Sequence, residues 1–351
     1  MIDRNRVCKD TLKKLIAAAC LWSMTATSTF AWSNRGHRMI NLVAADSLPS
    51  DMPAFMRTPA AIAEISYLGP EPDRWRPATE PELSNVSAPD HVFRVELGIQ
   101  VGPLPRRRTE FATRLEHLRA EGGHQADQLR PEQIGTVPWQ AEEIFERLMS
   151  TFRSYRIATG NMKQSDWMDE APITADDLPY IEASARFYAG WLGHYVADGC
   201  MPLHTSISVH GWAPKDNPHG YTRDGEIHHR FEVVTDNAIE QHLITEAHIL
   251  PMEAKPQVLD DPFAATLTYL QAENKFVEDV FKLDKQGDIA KNGTPEFNRF
   301  AELRMAEGGA ILRDLIYSAW IQSKESVRPT LPPSIALPAP EPAAAPLTDK
   351  K

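Results

Sequence analysis

Long stretches with apolar residues three or four positions apart are the feature that most limits what this chain can fold into. Such spacing places apolar side chains along one face of an α-helix. In one stretch Trp139, Ile144, Leu148 and Phe152 share a face, and Pro138 suits a first helical turn. Seven stretches carry the pattern: 37–48, 53–65, 106–120, 138–157, 181–198, 263–283 and 295–323. The sequence therefore predicts an all-α fold.

Signals for other fold classes are scarce. The best candidate for a strand is 91–97, and it is short. The chain has no glycine-rich nucleotide-binding loop and no internal repeat. A single, mostly helical domain over 32–324 is therefore expected.

The two ends of the chain differ from this domain. Residues 1–31 combine a basic region, the apolar run 15–22 and the small-residue cleavage site Thr29-Phe30-Ala31, which predicts a signal peptide. A lipoprotein signal at Cys20 is less favoured, because the residue three before it is Ala17, not Leu or Val. We expect export to the periplasm or the extracellular space. Residues 325–351 are rich in Pro and Ala and predict a disordered tail.

The net charge and the cysteine content exclude some classes of function and some structural features. The 351 residues have a formal net charge of −11. Without residues 1–31, 32 basic and 46 acidic residues remain, a net charge of −14. Such a surface argues against a basic groove that follows nucleic-acid phosphates, so chemistry on a phosphate would need positive charge from bound metal. Cys200 alone would remain after cleavage, which excludes an internal disulfide.

The spacing of His, Asp and Glu carries the functional signal. His194 and Asp198 are four residues apart in a predicted helix, and His204 follows six residues later. His228 and Glu232 repeat the four-residue spacing. Residues at i and i+4 project from one helix face and can bind one cation together. One such pair is weak evidence, but two pairs with a third histidine predict a metal site.

Further residues complete a family pattern. Trp32 would begin the exported chain in W-S-N-R-G-H, with His37 five residues on; Asp73 lies in E-P-D-R-W-R and His91 in A-P-D-H-V-F. Together with H-x3-D-x5-H and H-x3-E, this order resembles the superfamily of trinuclear zinc phosphodiesterases. Its branches are the S-one/P-one single-strand nucleases and the zinc-dependent bacterial phospholipases C. The resemblance runs from Trp32 to Glu232.

The resemblance implies a phospholipase C/nuclease type of fold and three zinc ions. One zinc site would comprise Asp73, His91, His194 and Asp198. A second would comprise the amine and carbonyl of Trp32 with His37, and Asp198 would bridge it to the first. The third, more open site would comprise His204, His228 and Glu232 with waters. Neutral imidazoles and carboxylates suit zinc, which can lower the pKa of a bound water to about 7.

Asp73 and Arg76 are the candidate catalytic residues. They match the D-x-x-R of the nuclease branch, in which the arginine faces the phosphate. A guanidinium group suits a phosphoryl group whose negative charge grows in the transition state. The alternative is that Arg76 is a surface arginine in a proline-rich loop.

Several features separate the two branches. The spacing of 24 between His204 and His228, the D-x-x-R and the Trp-x4-His resemble the nucleases, whereas Glu232 resembles the phospholipases. Arg94 stands where the nucleases have an Asp that reads a base, which predicts weak base preference and contact with a second phosphate. Phe93 and Trp212 are the residues on which we expect a base to stack.

The predicted function is therefore an exported zinc-dependent endonuclease that hydrolyses single-stranded DNA and RNA to 5′-phosphate products. One alternative is a zinc-dependent phospholipase C that acts on phospholipid head groups. Another is an exported zinc-binding protein without catalysis. The expected partner is a single-stranded nucleic acid or nucleotide, with phospholipid as its alternative. No stable protein partner is implied, and the sequence does not indicate an oligomeric state.

Overall fold

The computed structural model describes residues 32–76, 79–122, 126–164, 172–252, 254–325 and 333–337. These residues are mainly helical, and no strand is present among them, which confirms the predicted all-α class. The α-helices are α1 Asn34–Asp46, α2 Pro59–Leu68, α3 Glu71–Arg74, α4 Pro81–Ser87, α5 Val95–Val101, α6 Arg108–Glu121, α7 Pro131–Ile134, α8 Val137–Ala158, α9 Leu178–Cys200, α10 Ile227–Glu240, α11 Glu246–Ile249, α12 Pro262–Asn274, α13 Val277–Gln286 and α14 Pro295–Gln322.

Helix α9 is the centre of the fold. It packs against α8, α14, α1 and α2, so that its C-terminal half is enclosed by other helices. Small residues permit this close packing. A Cβ atom at Gly190 would lie 2.4 Å from the Cβ of Leu68, and one at Gly193 would lie 2.1 Å from Asn41 Oδ1. The Asn41 side-chain amide donates to the carbonyl of Gly190 at 3.0 Å, which joins α1 to α9. The buried half of α9 carries His194 and Asp198.

Two predicted helices are interrupted. The stretch 53–65 forms a 3-10 turn, Ala54–Met56, followed by α2. Thr58 caps α2, because its side chain accepts a hydrogen bond from the main-chain N–H of Ala61 at 3.1 Å. The stretch 263–283 divides into α12 and α13, and the change of direction lies at Lys275 and Phe276. Apolar periodicity continues across both breaks, so it did not reveal them.

The segment 91–97, the best candidate for a strand, does not form one. His91 ends the 3-10 turn Ala88–His91, and Val95 begins α5. The run is apolar because Phe93, Val95 and Leu97 are all buried in the core. A short buried run of this kind cannot be assigned to strand or helix from periodicity alone.

Part of the predicted tail packs on the domain. Within 325–351, residues 326–332 and 338–351 lie outside the described residues. In the described segment 333–337, Ile335 exchanges main-chain hydrogen bonds with Leu104 at 2.5 and 3.0 Å. Leu337 is buried and packs near Gly98. The side chains of Ile335 and Leu337 therefore contact the core, so this short segment of the predicted tail packs on the domain. Residues 1–31, the predicted signal peptide, also lie outside the described residues.

Among the described residues, none of the helices has the length and apolar character needed to cross a membrane.

Candidate metal centre

The side chains of α9 begin the cluster. His194 and Asp198 are fully buried one helical turn apart, with His194 Nε2 3.4 Å from Asp198 Oδ2. His91 enters from the 3-10 turn that precedes α5, and its Nδ1 lies 3.0 Å from the same Asp198 oxygen. Asp73, from the short helix α3, places Oδ1 3.8 Å from His91 Nδ1 and 3.9 Å from His194 Nε2. The structure thus brings together the four residues predicted to form one site.

His37 joins this group from α1. Its Nε2 lies 3.6 Å from Asp73 Oδ2 and 3.7 Å from Asp198 Oδ1, and its ring stacks on His194 with centroids 4.1 Å apart. The second oxygen of Asp198 therefore faces His37 while the first faces His91 and His194. The bridging role of Asp198 stays a prediction, because the donor atoms close enough to His37 to share an ion with it belong to Asp73 and His194.

Trp32 lies beside the same cluster. Its side chain is fully buried, and its indole Nε1 donates to the carbonyl of Ala197, the neighbour of Asp198, at 2.8 Å. Its ring meets Phe231 of α10 edge-on at 5.6 Å. These contacts fix the side chain at the base of α9. Residue 31 lies outside the described residues, so the use of a free amine at Trp32 stays a prediction.

A further group is formed by the three residues predicted for the open site. His204 comes from the 3-10 turn Pro202–Thr205, and His228 and Glu232 come from one face of α10. His228 Nε2 lies 3.0 Å from Glu232 Oε1 and 2.9 Å from His204 Nε2. His204 Nδ1 is also 3.8 Å from Asp198 Oδ1, which links this group to the others.

Main-chain carbonyls orient two of the rings. His194 Nδ1 donates to the carbonyl of Gly69 at 2.8 Å, and His204 Nδ1 donates to the carbonyl of His91 at 2.6 Å. A hydrogen bond at one ring nitrogen fixes the tautomer and leaves the other nitrogen as a lone-pair donor. In both residues Nε2 therefore faces the cluster in the form that binds metal.

The cluster contains buried polar atoms that a bound cation would satisfy. Buried polar atoms in proteins are almost always hydrogen-bonded, so each exception needs a reason. Several cluster atoms lack a well-formed hydrogen bond to any described residue: both ring nitrogens of His37, His91 Nε2, Asp73 Oδ1, Asp198 Oδ1 and Glu232 Oε1. Three groups of donor atoms lie close enough to hold metal ions: His37, Asp73 and His194; His91, His194 and Asp198; and His204, His228 and Glu232. The donors fit metal ions.

Burial sets the protonation of this cluster. Desolvation lowers the pKa of His37, His91, His194 and His204 well below the ordinary histidine value. Desolvation has the opposite effect on three carboxyls, because it raises their pKa well above the usual range: Asp73, Asp198 and Glu232. The imidazoles are therefore neutral near pH 7, as metal ligands must be, and the carboxyls bind protons more tightly than exposed carboxyls do, so that a cation would compete with those protons.

Arg76 lies at the rim of the cluster. Its Nη1 is 3.6 Å from Asp73 Oδ1, and its side chain is 12% exposed. The positive charge lowers the pKa of Asp73 and opposes the effect of burial. The structure places Arg76 beside the candidate metal ligands rather than on an unrelated surface, and its contact with a phosphate stays a prediction.

One of the residues predicted to form the substrate wall lies in the core. Phe93 is fully buried and packs against Trp139 with centroids 6.2 Å apart, so the prediction that a base stacks on it is wrong. Arg94 donates to the carbonyl of Gln133 through Nη1, and its contact with a second phosphate stays a prediction. Trp212 is partly buried, with its ring packed against Tyr221 at 4.9 Å and Phe281 at 5.2 Å.

Sequence reasoning missed one aromatic pair near the ligands. Trp75 lies between Asp73 and Arg76 in the sequence, and its ring meets Trp191 of α9 edge-on at 5.6 Å. Trp191 precedes His194 by less than one helical turn. The D-R-W-R context was visible in the sequence, but the contact joins elements more than one hundred residues apart.

In comparisons with known proteins, neither a protein-family model nor a curated protein matches this chain.

Proton release on metal binding is the first expected result. Zinc added to the metal-free protein at pH 7 should displace protons, because burial raises the pKa of Asp73 and Asp198, and their carboxyls therefore retain protons to a higher pH than exposed carboxyls do. Fewer protons should be released at pH 9, where more of these carboxyls are already ionised. Because protons compete with the metal, affinity should fall as the pH falls. Calorimetric titrations in two buffers of different ionisation enthalpy measure the proton count. Zinc binding at pH 7 without proton release would contradict this assignment.

Proposed function

We propose that this protein is an exported, zinc-dependent phosphodiesterase, and that it is an endonuclease for single-stranded DNA and RNA. The observation that carries the proposal is the convergence of three buried donor groups around Asp198, with Arg76 at their rim. A structural metal site is usually closed by four ligands. The group of His204, His228 and Glu232 has three side-chain ligands, which supports a catalytic role.

Zinc is the proposed metal because of the donor types. Neutral imidazole nitrogens and carboxylate oxygens suit zinc. The donor groups found among the described residues contain no cysteine, and Cys200 is buried and donates to the carbonyl of Ala197 at 3.2 Å. Three ions are proposed, one for each of the sites described by the sequence pattern. Bound zinc ions would supply a water with a pKa of about 7 and would stabilise charge on the phosphate oxygens.

The protein's own residues would orient the phosphate. Asp73 contributes a carboxylate to the cluster, and Arg76 extends its guanidinium group from the same short segment. A guanidinium group can donate two parallel hydrogen bonds to phosphoryl oxygens, which fixes the orientation of the phosphodiester. It would also stabilise the charge that grows on those oxygens in the transition state. Zinc storage needs no such arginine, so Arg76 favours catalysis over a non-catalytic zinc-binding role.

The segment after His204 favours a nucleic-acid substrate over phospholipid. A lipid surface requires an exposed apolar rim. In 205–226, Ile207 is 37% exposed, but Trp212 and Tyr221 pack on one another rather than forming such a rim. A phospholipase C acting on phospholipid head groups is the second candidate, supported by Glu232 at the last ligand position.

Parallel assays on the purified, metal-loaded protein test this proposal. We expect nucleotides with 5′-phosphate ends from single-stranded DNA and RNA, weak base preference and little cleavage of double-stranded DNA, whose stacked bases cannot reach an aromatic wall. A protein treated with a chelator serves as the control for each substrate. Rapid cleavage of phosphatidylcholine, with no nucleotide release between mildly acidic and neutral pH, would contradict the nuclease function and support the phospholipase C function instead. Inactivity on all three substrates, with zinc retained, would favour the non-catalytic zinc-binding protein.

A further inference from the structure

A row of aromatic rings leads away from the candidate metal centre. It begins at Trp75, the residue before Arg76, which contacts Trp191 edge-on at 5.6 Å. Trp191 lies next to Tyr188, one turn earlier on α9, with centroids 6.2 Å apart and planes inclined by 27°. All three rings are partly buried, so they are held in place and retain an accessible part. We call Trp75, Trp191 and Tyr188 the aromatic row.

The aromatic row opens into a groove between α8 and α9. The groove has a volume of about 340 Å³, and Tyr188 belongs to both the row and the groove. Its other lining residues are mostly hydroxyl-bearing and include Ser150, Thr151, Ser154 and Ser184. Tyr180 lines its far end and is 75% exposed, the most exposed among the large hydrophobic side chains of the described residues.

Arg147 connects the row to the groove. Its guanidinium carbon lies 5.8 Å from the ring centre of Trp191, and its side chain also lines the groove. Glu143 pairs with it at 2.7 Å, so the local positive charge is largely balanced. Attraction of a phosphate chain by charge alone would be weak here. The features that remain for a ligand are the aromatic faces and the hydroxyl groups of Ser150 and Ser184, because those of Thr151 and Ser154 donate to main-chain carbonyls of α8.

We infer that the aromatic row and the groove form an extended binding site for the bases of a single-stranded nucleic acid, which rests on the proposed function of the metal centre. Base stacking on aromatic side chains is tolerant of sequence and does not require a basic surface. A strand with its scissile phosphate at Arg76 would have neighbouring bases beside Trp75 and Trp191. Bases farther along would reach Tyr188 and Tyr180, which both line the groove.

This site assigns a specificity role to residues outside the metal cluster. Strands long enough to reach Tyr188 and Tyr180 bind more tightly than short ones that occupy only the metal centre. Preference for single strands follows, because paired bases cannot present their faces to the rings. The site also replaces Phe93, which is buried, as the wall on which bases stack.

Fluorescence anisotropy with the metal-loaded protein tests this inference. The probes are labelled phosphorothioate strands of twelve and of three thymidines, with gel analysis to confirm that they remain intact. Removing one stacking ring weakens binding of a nucleic acid by about tenfold. We expect Tyr180→Ala and Tyr188→Ala each to weaken the twelve-nucleotide strand by about that factor and to affect the trinucleotide less. Tyr180 is exposed, so its substitution does not endanger folding.

Tyr317→Ala is the matched control, since this tyrosine lies on α14 and donates to Asp51 at 2.8 Å, outside the row and the groove. It should leave the binding of both strands unchanged. An unchanged ratio of long-strand to short-strand affinity in both Tyr180→Ala and Tyr188→Ala would overturn the extended site. Nucleotide release by the wild type, measured in parallel, separates the two proposals. Hydrolysis by the wild type with an unchanged ratio of long-strand to short-strand affinity would overturn only the extended binding site. Length-dependent binding without hydrolysis would overturn only the proposed nuclease activity.

Discussion

Asp198→Asn should abolish hydrolysis and remove most of the bound metal. The carboxylate lies among all three donor groups, 3.0 Å from His91, 3.7 Å from His37 and 3.8 Å from His204. An amide of the same size lacks the charge that offsets two neighbouring cations and has only one oxygen to share. Residues that merely orient metal ligands contribute 10- to 100-fold, so loss of a bridging ligand should exceed about 100-fold. Metal analysis and nucleotide-release assays measure the two effects.

Stability of the metal-free protein distinguishes this result from misfolding. Burial raises the pKa of Asp198 in the folded, metal-free chain above its pKa in the unfolded chain. Once the pH exceeds the unfolded-state pKa, ionisation of this carboxyl therefore favours the unfolded chain and lowers the stability of the fold. Asn removes that penalty, and the metal-free variant should melt at or above the temperature of the metal-free wild type at pH 7. His229→Ala is the control, because its ring is exposed and belongs to none of the three donor groups. It should be nearly silent. Equal metal content in the wild type and Asp198→Asn would refute the bridging role.

A chain that begins at Trp32 should bind one metal more tightly than a chain with one residue before it. A free amine is a good zinc ligand, whereas the nitrogen of a peptide bond is a poor one. The buried Trp32 side chain, fixed by Ala197 and Phe231, holds its main chain at the base of α9. One extra residue should therefore weaken the neighbouring site severely and lower activity with it.

The comparison uses two purified chains, one that starts at Trp32 and one that retains Ala31, with zinc content and nucleotide release as the measurements. Proteolytic removal of Ala31 from the longer chain is the control and should restore both properties. Full activity and equal zinc content in the uncleaved longer chain would contradict a role for the amine.

Local patterns predicted the elements that carry the site. The i and i+4 pairs of His194 with Asp198 and of His228 with Glu232 lie on single helices, so sequence spacing fixes their geometry. The order of motifs also predicted that His37, Asp73 and His91 belong with them, although each comes from a different element. The structure brings all these side chains together in buried groups.

Features that depend on tertiary packing could not be predicted. Phe93 lies two residues after the candidate ligand His91. This closeness in sequence did not reveal that the side chain of Phe93 points into the core and packs against Trp139. The aromatic row depends on contact between Trp75 and Trp191, which a single sequence does not record. The break between α12 and α13 was also hidden, because apolar spacing continues through Lys275 and Phe276.

We propose that cleavage of single-stranded nucleic acid depends on metal held by the buried cluster. The most direct measurement follows nucleotide release from single-stranded DNA by the purified protein, first as isolated, then after a chelator has removed its metal, and finally after zinc is added back. We predict release before chelation, loss of release with the metal, and recovery as zinc returns to about three ions per chain. Nucleotide release that persists in protein shown to contain no metal would contradict the account.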